Sequence, residues 1–131
     1  MTTENPWPFK GPLPPGERIV IEASAGTGKT YAMEGIVVQL VAEHDLALDQ
    51  ILVITFTTAA TAELRDRVRL RLQSVLAVLR DPAALSSDEL AVRLQGAAER
   101  DLFAVRIAQA LAQFDSAPIS TIHSFCQRML Q

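Results

Sequence analysis

The sequence predicts an α/β fold with parallel strands. Three observations carry that expectation: a β-branched run that ends on a Gly-rich loop, a second apolar run that ends in hydroxyl residues, and helical spacing after each. Strand–helix–strand order with helical crossovers is the pattern of a parallel sheet covered on both faces. The chain has 131 residues, 49% of them apolar and 21% charged, enough to build one core and unlike a disordered segment.

Residues 1–16 form a proline-rich arm, unsuited to a helix or a paired strand, with Trp7 and Phe9 expected to lie on the domain body. Residues 17–131 form the domain. Arg18-Ile19-Val20-Ile21 reads as the first strand, and Thr30 to about Glu43 as a helix with Met33, Val37, Leu40 and Val41 on one face. Ile51-Leu52-Val53-Ile54 reads as a second strand. The helix after it carries Leu64, Val68, Leu72, Val75 and Leu79 and is stopped by Asp81-Pro82. Ser86 to Glu89 reads as a capping box with Ser86 at the N-cap, before helix to about Phe114 that Gly96 divides. Ile119 to Ile122 reads as a third strand, with a helix starting near His123.

No apolar run approaches the ~20 residues of a membrane span. The N-terminus lacks the basic start and apolar stretch of a secretory signal. With one cysteine, Cys126, the chain makes no internal disulfide. A cytoplasmic protein is expected. Its net charge of −3 argues against a surface basic throughout, though a local cluster can still bind nucleic acid.

The segment Ala23-Ser24-Ala25-Gly26-Thr27-Gly28-Lys29-Thr30 meets the phosphate-loop pattern G-x-x-x-x-G-K-[ST], with Ala at its first position. Gly26 and Gly28 let successive N–H groups approach phosphate oxygens where a Cβ would intrude. A helix starting there adds the positive end of its dipole. Lys29 is suited to the β- and γ-phosphates and the Thr30 hydroxyl to Mg²⁺. A nucleotide site is expected, and the loop alone does not choose among kinase, GTPase, motor and carrier.

Thr55-Phe56-Thr57 follows the second strand, where open α/β sheets meet their ligands. Its hydroxyls and N–H groups suit a phosphate backbone and Phe56 suits stacking on a base; core packing for Phe56 and capping for the threonines is the competing reading. Arg65, Arg67, Arg69 and Arg71 lie off the apolar stripe and read as a solvated face, partly self-paired with Glu63 and Asp66. His123 and Cys126 do not make a zinc site, since the other histidine is His44, placed on the polar side of the first helix. Cys126 is expected to be a small core residue, and His123 to hydrogen-bond at the strand end, toward backbone or DNA.

Three segments together resemble superfamily 1 DNA helicases of the UvrD/Rep type: ASAGTGKT their Walker A motif, TFTTAATAELRDRV their motif Ia, and ISTIHSFCQRML their motif Ib. The RecB-like branch, the beta subunits of exodeoxyribonuclease V, is the closer match. Like that branch the chain has no Gln before the loop, while Thr58 stands where the branch usually carries an acidic residue.

The resemblance implies a P-loop NTPase (RecA-like) three-layer fold with a parallel sheet, incomplete at the C-terminus. It implies ATP and Mg²⁺ as cofactors, with Ala23 to Thr30 as the nucleotide-binding residues and Lys29 and Thr30 as the catalytic ones. Single-stranded DNA and duplex ends would be met by Thr55, Phe56, Thr57, Thr121, His123 and Ser124. It further implies helicase and possible exonuclease activity in double-strand-break repair, and gamma and alpha partner subunits. The chain alone is expected to be inactive. A small P-loop kinase or GTPase, or a catalytically silent nucleotide-binding module, is the alternative.

Overall fold

The computed structural model describes residues 27–55, 57–116, 119–121, 126, 127, 129 and 130. The proline-rich arm, the first expected strand and the loop residues Ala23, Ser24, Ala25 and Gly26 lie outside them.

Helix α1, Thr27–Ala42, is apolar nearly all round, a pattern that calls for burial on several sides. Val37, Val38, Val41 and Ala42 are buried accordingly. The helix ends where Asp45 enters the left-handed region at φ 54°, a conformation Asp tolerates better than most residues. Two bonds hold that turn. Leu46 N–H donates to the Leu40 carbonyl at 3.0 Å, and Arg106 Nη1 donates to the Ala42 carbonyl at 2.7 Å. Arg106 Nε also lies 3.2 Å from the Asp45 carboxylate.

A 3₁₀ turn, η1 (Leu48–Gln50), leads to strand β1, Val53–Thr55. Helix α2, Thr58–Arg80, is the central element, packing against α1, α3, α4 and both strands. Its N-cap is Thr57, whose hydroxyl accepts from Ala60 N–H at 2.9 Å. Leu64, Val68, Leu72, Val75 and Leu79 form its buried stripe, and Asp81 ends it before Pro82.

Helix α3, Glu89–Gln95, is capped by Asp88, whose carboxylate accepts from Leu90 and Ala91 N–H. Ser86 is therefore not the N-cap; its hydroxyl accepts from Asp88 N–H at 3.0 Å instead. Gly96 closes α3, and helix α4 follows at Arg100–Ala112, burying Phe103, Ile107 and Ala110. A second 3₁₀ turn, η2 (Phe114–Ser116), precedes strand β2, Ile119–Thr121.

The described residues do not form the expected three-layer fold around a parallel sheet. The described residues are mostly α-helix, and strand is confined to two three-residue segments paired with each other in parallel, Val53 opposite Ile119. Ile51 and Leu52, assigned to a strand from their apolar character, are the irregular exit from η1. Between β1 and β2 the described residues are mostly helix, and the core is formed chiefly by helix faces closing on one another.

Candidate functional site

Helix α1 opens at Thr27, inside the Gly-rich segment. Residues 27–30 thus form its first turn, where the backbone N–H groups have no intrahelical partner and the helix dipole is positive. That turn carries no acidic residue to oppose an anion. The arrangement suits a phosphate approached by the backbone, with Lys29 and Thr30 in the turn that would receive it. Among the described residues no cluster of His, Cys, Asp or Glu could hold a metal ion.

The second part of the site is the C-terminal end of the strand pair. The parallel register puts Thr55 directly opposite Thr121, bringing together two segments 66 positions apart in sequence. Thr57 follows at the head of α2, exposed, with its carbonyl accepting from Thr61 N–H at 3.0 Å and Thr61 Oγ1 at 3.1 Å. Thr57 is therefore a helix cap, whatever else it contacts. Phe56, His123 and Ser124 lie outside the described residues.

The arginines of α2 do not form one solvated face. Arg65 and Arg69 lie over the buried Phe114 ring, 5.5 and 4.7 Å from its centroid. Arg67 bonds Glu34 of α1 at 2.9 Å and reaches Glu63 at 3.5 Å. Arg71 is buried, 7% exposed, between Glu34 and Asp88. Sequence reasoning missed this burial, although a signal was present: Arg71 falls three residues after Val68 and four before Val75, on the margin of the apolar stripe. Glu34, 5% exposed, had not been singled out at all. Cys126 is exposed, against the expectation of a core residue, and His44 follows α1 with its Nε2 buried.

A helix thus opens inside the Gly-Lys-Thr segment, and a strand ends in Thr just before a Thr-capped helix. The chain belongs to the UvrD/REP helicase N-terminal domain family, whose model matches residues 5–131. Within that family it is similar to the RecBCD enzyme subunit RecB of Mycolicibacterium smegmatis, 48% identical over 124 residues. It is 39% identical over 133 residues to the subunit of the same name in Escherichia coli K12. An ATP-dependent helicase/nuclease subunit of Limosilactobacillus reuteri is 32% identical over 116 residues. These matches cover 92%, 94% and 88% of this chain, but only 11%, 11% and 7% of the relatives. The chain therefore spans about a tenth of the length of the curated proteins it matches.

Proposed function

We propose that the chain supplies the ATP-binding part of a DNA helicase–nuclease that works in recombinational repair of double-strand breaks. The observation that carries this reading is the start of α1 at Thr27, which sets Lys29 and Thr30 in a helix's first turn. In this reading the backbone from Ala23 to Thr30 receives the phosphates, Lys29 neutralises the β- and γ-phosphates, and the Thr30 hydroxyl takes Mg²⁺. Hydrolysis of the bound nucleotide would supply the free energy for movement along DNA, with Mg²⁺ neutralising charge on the phosphates. The strand-end residues Thr55, Phe56, Thr57, Thr121, His123 and Ser124 would meet the DNA backbone and bases; the parallel register of Thr55 and Thr121 supports one shared surface.

The names of the relatives support the same assignment, since they describe subunits of a RecBCD enzyme and of an ATP-dependent helicase/nuclease. By that likeness the whole protein would work in the cytoplasm beside partner subunits of the gamma and alpha kind. In the described residues no helix is long and apolar enough to cross a membrane.

The test is calorimetric. A charge-assisted contact contributes about 1.5–3 kcal/mol, so Lys29→Ala should weaken Mg·ATP binding by about ten-fold or more. Equal affinity in the two chains would reject the phosphate-loop assignment.

A further inference from the structure

Where α1, α2 and α3 meet, charges are buried that the proposed nucleotide site does not itself use. Glu34 lies one helical turn after Thr30 and is 5% exposed. A carboxylate so near a phosphate-binding helix end would repel the ligand if it stood alone. It does not: Arg67 Nε bonds it at 2.9 Å and Arg71 Nη1 lies 3.5 Å away.

Arg71 does more than neutralise. Its Nη2 donates to Asp88 Oδ1 at 3.0 Å, and its Nε lies at ion-pair distance, 2.6 Å, from Oδ2. The same Asp88 carboxylate caps α3. The guanidinium also lies over the Tyr31 ring, 4.4 Å from the centroid, and Tyr31 directly follows Thr30. One planar group from α2 therefore touches the second turn of α1, the residue after the phosphate-loop Thr, and the cap of α3. The ion pair with Glu34, the hydrogen bond to Asp88 and the stacked Tyr31 ring thus tie the start of α1 to α2 and α3 through one planar group.

We infer that Arg71 is a positioning residue for the phosphate loop, acting with Glu34 to hold the start of α1 in the orientation that presents Lys29 and Thr30 to a nucleotide. The inference rests on the nucleotide-binding reading above. A chain that merely needed a fastener has one of equal chemistry at the far end of α1. Arg93 of α3 grips Glu43 with Nη1 to Oε2 at 2.9 Å and Nη2 to Oε1 at 2.6 Å. That arginine–carboxylate pair, with Arg93 25% exposed against 7% for Arg71, also joins α3 to the α1 side of the body but lies remote from the loop, so it serves as the control for loss of an interhelical fastener.

The experiment measures Mg·ATP affinity by calorimetry for the 131-residue chain and for Arg71→Met, Glu34→Gln and Arg93→Met, at a temperature where circular dichroism shows the variants folded. Positioning at the loop predicts about ten-fold weaker binding for Arg71→Met and a change within about two-fold for Arg93→Met. Both substitutions should lower the melting midpoint. Equal affinity losses for Arg71→Met and Arg93→Met, or none for Arg71→Met, would overturn the inference and leave a buried fastener. If Arg71→Met does not fold, Glu34→Gln decides: weakening supports positioning, and unchanged affinity overturns it. Absence of binding by the unsubstituted chain, or binding indifferent to Lys29→Ala, would instead overturn the phosphate-loop reading and this inference with it.

Discussion

Among the described residues the buried charged side chains, Glu34 and Arg71, are paired with each other. Arg71 of α2 meets Glu34 near the start of α1, and the half-buried Arg93 of α3 meets Glu43, the residue after its end. Removing one partner of such a pair costs about 3–5 kcal/mol because the other charge is stranded. Gln39, fully buried, keeps its amide in contact with Glu43 at 3.3 Å. Cys126 is the opposite case. It is apolar enough for a core, yet its side chain is exposed. A thiol reagent should therefore modify Cys126 completely in the native chain, at a rate close to that in denaturant. Protection of the native thiol by about 100-fold or more would place the side chain in the interior instead. The sequence offered no means of telling the two situations apart, because burial of a lone cysteine depends on what packs over it and not on its neighbours in the chain.

Helices and their ends were legible wherever the controlling groups are local. The limits of α2 follow from a Thr cap, an i+3/i+4 apolar stripe and Asp81-Pro82, all within one segment. Legibility failed where a distant group intervenes. Ser86 and Asp88 both offer an oxygen to α3, and Asp88 takes the cap while also holding Arg71 from α2, a partner 17 residues away that no local pattern reveals. The second and third expected strands were located to within two residues, but the length of the second was not, since Ile51 and Leu52 look the same in a strand as in the exit from a 3₁₀ turn. At the strand end Thr57 has a measurable structural duty. Thr57→Ala removes the acceptor for Ala60 N–H and should destabilise the chain by about 1 kcal/mol in denaturant titration. A loss near zero would mean that water replaces the cap without cost, and Thr57 would then owe its place to something other than α2.

At the scale of the whole molecule the question is whether the helices stand or fall together. Apolar residues of α1, α2, α3 and α4 join Val53 of β1 and Ile119 of β2 in one continuous buried cluster. The α/β reading of the sequence failed at this level, because apolar runs report burial and not which partner does the burying. Here α2 and α4 bury one another's faces, with α1 against both. Ile107 of α4 is fully buried in that cluster. Trimming it to Ala removes packing that α4 shares with α1 and α2, at a cost of about 2–5 kcal/mol. If the body is one cooperative unit, that cost must appear in every element, including ones the substitution never touches. Native-state amide exchange reads this directly, since each protected amide reports the free energy of the opening that exposes it. In Ile107→Ala the most protected amides of α1, residues 31–42, should lose as much protection as those of α4. Loss confined to 100–112, with α1 unchanged, would show that α4 opens separately. The start of α1 would then owe its stability to α2 and α3 through the Glu34–Arg71–Asp88 contacts rather than to the common core.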